Sequence, residues 1–160
     1  MNRHALRTMC TIVVALCAIM QVSCANRKSD NTASQEVVET GGVVNMNDSM
    51  FRSLVFDYVS GGTEWKYLGN KPAIVDFYAD WCGPCRAIAP VMKELAQEYK
   101  DSLIIYKVNV DKEQDLAGWM QIRSIPALLF IPMDEMPRVV VGQNTKEFYK
   151  EVVDSFLLKK

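Results

Sequence analysis

The chain has 160 residues, 49% of them apolar, and a formal net charge of −1. That length suits one domain with processing segments, and the near-neutral charge gives no electrostatic ground for binding nucleic acid. Its five cysteines are unevenly spread: Cys10, Cys17 and Cys24 lie near the N-terminus, and only Cys82 and Cys85 follow. No histidine follows His4.

Residues 1–24 read as an export signal. Arg3 and Arg7 make a positive leader, and Thr8–Val22 is apolar but shorter than the roughly 20 residues of a spanning helix. Two processing sites compete. The stretch Gln21-Val22-Ser23-Cys24 resembles a bacterial lipobox, with Cys24 as the lipidation candidate, although Gln21 stands where an apolar residue is usual. The alternative is ordinary cleavage after Ala25, with Ser23 and Ala25 as the small pair. The lipobox is the preferred reading, and a lipid at Cys24 implies a membrane-tethered protein of the periplasm or cell envelope. Residues 25–42 are polar, rich in Ser, Thr, Asn and Glu, and read as a flexible linker.

The folded domain is expected over residues 43–160. Val43–Met46 predicts a short strand. Asn47 or Asp48 caps a helix carrying Met50, Phe51, Leu54, Val55 and Tyr58 at helical spacing, stopped by Gly61-Gly62. Ala73–Ala79, apolar except for Asp76, predicts a central strand. Pro84–Tyr99 predicts a helix with Ile88, Val91, Met92, Leu95 and Tyr99 on its apolar face and a kink at Pro90. Leu103–Val110 is a further strand and Asp115–Met120 a short helix. Ala127–Ile131 and Arg138–Val141 predict a hairpin. Thr145 opens a last helix to about Leu158, with Phe148, Val152, Val153 and Phe156 inward. This order implies an α/β fold: a central mixed sheet with a parallel βαβ unit, an antiparallel hairpin, and helices on both faces.

Cys82 and Cys85 stand at the seam of the central strand and the following helix. A tetrahedral zinc site needs at least three protein ligands, and after Cys24 the chain offers two cysteines and no histidine, so a metal there would have to be shared between two molecules. A bridge between residues this close constrains little of the unfolded chain, which weakens the reading as a structural staple. The C-x-x-C pair at a strand-to-helix junction favours redox chemistry. Cys82 falls at a helix N-terminus, where unpaired N–H groups stabilise a thiolate, the reactive form. Cys85 follows one turn later, within reach of Cys82. Gly83 allows close approach of a substrate backbone, and Pro84 suits an early helical position. Asp76, an acid in an apolar strand, is expected to be buried with a raised pKa and to suit proton transfer.

The stretch "VDFYADWCGPCR" carries a full W-C-G-P-C signature and resembles the thioredoxin family. The resemblance runs from about Met46 to Leu158. Asp76 matches the family's buried acid, Lys107 in "YKVNVD" the lysine near it, Pro126 in "IRSIPALLF" the cis-proline, and Gly142 the glycine before the last helix. Tyr78, Arg86, Ser124, Trp119 and Met120 depart from common residues. They bear on partner choice and redox potential.

The resemblance implies a thioredoxin fold and a protein-disulfide reductase. Cys82 acts as nucleophile and Cys85 as resolving thiol, Asp76 transfers the proton, and Lys107 tunes Asp76. Trp81, Gly83, Pro84, Ile125, Pro126 and Gly142 form the substrate-docking patch. No cofactor is expected beyond a redox-active disulfide of Cys82 and Cys85. Expected partners are protein disulfide or dithiol substrates and an electron donor, such as a membrane thiol carrier or a thioredoxin reductase. No nucleic acid is expected, and the chain is expected to be a monomer. Three alternatives stay open on the sequence: an envelope oxidase or isomerase using the same pair, reduction of apocytochrome cysteines, and a non-catalytic binding module.

Overall fold

A computed structural model describes residues 42–160, apart from 61 and 63. The export signal, Cys24 and all but the last residue of the linker lie outside the described residues. The strands form where apolar and β-branched residues cluster: β1 (Val43–Asn45), β2 (Ala73–Tyr78), β3 (Ile104–Asn109), β4 (Ala127–Ile131) and β5 (Arg138–Val141). They make one five-stranded sheet in the order β1-β3-β2-β4-β5. β1, β3 and β2 run parallel, and β4 and β5 are antiparallel to their neighbours. β2 is therefore central, as its nearly unbroken apolar sequence requires.

Among the described residues four helices cover the sheet: α1 (Asp48–Leu54), α2 (Gly83–Glu98), α3 (Gln114–Trp119) and α4 (Lys146–Val152), the last continuing into a π-helical turn over Val153–Leu157. Side chains alternate along each strand and so divide the core in two. Ile74, Ile105, Leu128 and Phe130 pack with Ile88, Met92 and Leu95 of α2 and with Tyr149 of α4. On the other face Val75, Phe77, Val108 and Leu129 pack with Phe51 of α1 and Leu116 of α3. Burying each such aliphatic side chain contributes about 1.5–3 kcal/mol.

Two expectations need correction. The first helix ends at Leu54 and does not run to Gly61-Gly62. The Phe56 N–H bonds the Phe51 carbonyl, and the Asp57 carboxylate accepts the N–H groups of Val59 and Ser60. A local side-chain turn takes the donors that a continuing helix would have used. Asn47 caps this helix through its side chain, which accepts the Met50 N–H. In the last helix the inward residues are Tyr149, Val153, Phe156 and Leu157; Phe148 is exposed and Val152 half-buried. The buried face thus runs through Tyr149, one position beyond the expected Phe148. α2 continues on both sides of Pro90, which sits on its exposed side.

Candidate active site

β2 ends at Tyr78, and the chain turns through Ala79-Asp80-Trp81 into α2. The turn is closed by the Cys82 N–H donating to the Ala79 carbonyl at 3.1 Å. Cys82 is the N-cap of α2, and its Sγ accepts the Cys85 N–H at 3.2 Å. A cap oxygen is the usual acceptor here, so the helix start presents its donors to a sulfur. Cys82 and Cys85 are joined by a disulfide with S–S 1.99 Å and Cα–Cα 5.3 Å. Both are buried, in a small cluster with Ala79 against which Tyr78, Val110 and Ile125 pack. Among the described residues no group of three or more His, Cys, Asp and Glu side chains could hold a metal.

Gly83 and Pro84 occupy the first turn of α2 and are exposed. A Cβ added at Gly83 would approach only the Arg86 guanidinium, at 3.9 Å. The outer side of this turn is therefore open. Arg86 folds back so that its guanidinium donates to the Asp80 carbonyl at 2.9 Å.

Trp81 is 68% exposed beside the pair. Its indole N–H donates to the Asp111 carboxylate at 2.9 Å, and Asp111 is held by its own N–H donating to Asn109 Oδ1 at 3.0 Å. Neither Asn109 nor Asp111 was singled out as a site residue in the sequence, although both lie in the quoted "YKVNVD" stretch. Side-chain pairing across a loop leaves no signal in spacing.

Asp76 lies within β2 on the α2 side of the sheet and is 6% exposed. Its Oδ1 has no hydrogen-bond partner among the described residues. Burial pushes its carboxyl up to about 7, with the Lys107 charge pulling the other way. Lys107 stands opposite Asp76 in the parallel register of β2 and β3 and is half-buried. A cleft of about 310 Å³ at the carboxyl ends of β1, β2 and β3 is bordered by Asn45, Tyr78, Lys107, Asn109 and Lys112.

The peptide between Ile125 and Pro126 is cis. Ile125 packs on the disulfide cluster, while Pro126 is buried. The Gly142 N–H donates to the Pro126 carbonyl at 2.8 Å, which links the loop after β5 to the proline loop. Gly142 has φ +91°, where a Cβ would be strained although the space around it is open. The structure therefore brings Cys82, Cys85, Tyr78 and Ile125 into contact, joins Pro126 to Gly142, and sets Asp76 across from Lys107 in the sheet.

Comparison with known proteins gives four findings. The family model described as Thioredoxin matches residues 62–155. The chain is 39% identical over 113 residues to a thioredoxin of Borreliella burgdorferi, an alignment spanning 71% of this chain and 96% of that one. It is 45% identical over 84 residues to a thioredoxin of Bacillus subtilis, spanning 52% and 81% of the two chains. Among solved structures, a mutant thioredoxin from Halobacterium salinarum NRC-1 superposes with TM-score 0.59 at 26% identity, covering 73% of this chain and 92% of that one.

Proposed function

The chain belongs to the thioredoxin family and is a disulfide oxidoreductase; from that premise we propose that it reduces protein disulfides in the cell envelope through Cys82 and Cys85. The observation that carries this reading is the start of α2, where Cys82 caps the helix and its sulfur accepts the Cys85 N–H. A thiolate at Cys82 would be stabilised there by the same donors.

The exchange takes two steps. The Cys82 thiolate attacks one sulfur of the substrate disulfide; a mixed disulfide forms, and the first substrate thiolate leaves and takes up a proton. Cys85 then gives its proton to the Asp76 carboxylate and attacks Cys82 Sγ. This releases the second substrate thiolate and closes the Cys82–Cys85 disulfide. Two electrons pass from the pair to the substrate. Asp76 suits the proton step because burial brings its carboxyl to about 7, close to operating pH. Lys107 limits that rise.

Trp81, Gly83, Pro84, Ile125, Pro126 and Gly142 would receive the substrate, with an extended backbone pairing beside Ile125. An envelope location follows from the reading of residues 1–24 as an export signal and of Cys24 as a lipid attachment site. A dithiol donor, either a membrane thiol carrier or a thioredoxin reductase, must return the electrons. The reducing direction follows from the Gly-Pro dipeptide between the cysteines, which resembles the reducing members of the family. Equilibrating the full chain against a glutathione series tests it. A reduction potential near about −270 mV supports a reductant, and one near about −120 mV would identify an oxidant instead.

A further inference from the structure

Tyr149 is completely buried in α4 and lies against Phe130, with ring centroids 6.5 Å apart. Its hydroxyl makes two backbone hydrogen bonds. It donates to the Gly142 carbonyl at 3.4 Å and accepts the Asn144 N–H at 3.0 Å. The Asn144 side-chain amide reaches the same Gly142 carbonyl at 3.5 Å. Gly142 in turn donates its N–H to the Pro126 carbonyl at 2.8 Å. A single phenol therefore ties the turn after β5 to α4 and, through Gly142, to the cis-proline loop.

An aliphatic side chain or phenylalanine would fill the same core position without the cost of burying a hydroxyl. Both recorded hydrogen bonds of that hydroxyl go to the loop holding Gly142. Val141 at the end of β5 and Gln143 in the loop are exposed, and the φ of Gly142 between them lies in a region where little but local bonding defines the backbone.

We propose that Tyr149 is a positioning residue for disulfide exchange: its hydroxyl holds Gly142, and through it Pro126, in place for an incoming substrate backbone. The inference rests on the reading that Ile125, Pro126 and Gly142 dock the substrate. A loop fixed before binding lowers the ordering cost of docking. The benefit appears in KM for protein disulfides. It does not appear in the sulfur chemistry at Cys82, or with small disulfides that present no backbone.

The test compares the full wild-type chain with Tyr149→Phe and Ile125→Asp, using insulin and a small aromatic disulfide as substrates. For Tyr149→Phe the insulin KM rises about three- to tenfold, the loss of one or two modest hydrogen bonds, with kcat within about twofold. The rate with the small disulfide is unchanged. An unchanged insulin KM for Tyr149→Phe, while Ile125→Asp raises it, overturns the brace alone. Equal losses on both substrates overturn it too, since they mark general damage. An unchanged insulin KM for Ile125→Asp overturns the docking reading and the brace with it. Amide exchange in the wild-type chain adds a check that needs no variant. The Asn144 amide should exchange more slowly than that of exposed Gln143, and equal rates would overturn the proposal.

Discussion

Asp76 faces Lys107 across the parallel β2–β3 register, yet the Lys107 ammonium lies 5.4 Å from the centre of the Tyr78 ring and no ion pair joins it to the carboxylate. The acid is thus influenced by a nearby cation without being bonded to it. Burial dominates and brings the carboxyl to about 7. Removing the cation by Lys107→Met should raise the Asp76 carboxyl further, because the attraction that favours its charged form is lost. Following the carboxyl carbon by NMR across pH checks this. A lowered value would show that Lys107 acts some other way.

The same burial sets a pH dependence of stability. The folded Asp76 binds its proton more tightly than the unfolded chain, whose carboxyl sits near 3.8. The stability contributed is whole below that value and is lost as pH rises through about 7. Displacement across that interval corresponds to a cost on the order of 4 kcal/mol at pH 8. Asp76→Asn should therefore be more stable relative to wild type at pH 8 than at pH 4, by a difference of roughly that size. Urea denaturation at the two pH values measures it, and parallel curves would contradict it. Catalysis should move the other way. Loss of the carboxylate should slow Cys85 attack at neutral pH by roughly tenfold or more.

Trp81 is exposed and tied to Asp111 by one hydrogen bond. Truncating an exposed side chain costs the fold little, so Trp81→Ala should change stability by less than about 1 kcal/mol. The insulin KM should nevertheless rise several-fold. Asp111→Ala, which leaves the ring but releases it, should give a smaller rise. A large fall in melting temperature with unchanged KM would assign Trp81 to packing.

The pair is held by the helix beneath it. Ile88, one turn beyond Cys85, is 1% exposed in the core shared by α2 and α4. Ile88→Ala should cost about 2–5 kcal/mol by lost burial and the cavity left behind. Denaturant unfolding gives the value, and a loss under about 1 kcal/mol would mean that the site collapses to fill the space.

Much of this arrangement could be read from the residues. β2 was legible because an apolar, β-rich run with one acid has few other readings, and that acid is buried. The hairpin was legible because turn residues separate two apolar runs, and α2 because its buried positions Ile88, Met92 and Leu95 recur at helical spacing. The end of α1 was not. Leu54, Val55 and Tyr58 continue the helical pattern, and only the competing Asp57 turn breaks it. Tyr149 was passed over because a tyrosine in an apolar stripe reads equally well as surface. Its hydroxyl bonds to Gly142 and Asn144 are ones that no periodicity encodes. The pairings of Trp81 with Asp111 and of Gly142 with Pro126 join distant stretches of chain, so they appear only once the loops are folded together.

The central claim is that Cys82 attacks and Cys85 resolves. The most direct measurement is trapping: Cys85→Ser and Cys82→Ser versions of the full chain are each reduced, mixed with a protein disulfide and analysed by mass. With Cys85→Ser, a mixed disulfide on Cys82 should accumulate, because the thiol one helical turn away that would release it is gone. With Cys82→Ser little or none should form. A stable adduct on Cys85 in the second variant, or none on Cys82 in the first, would contradict the account.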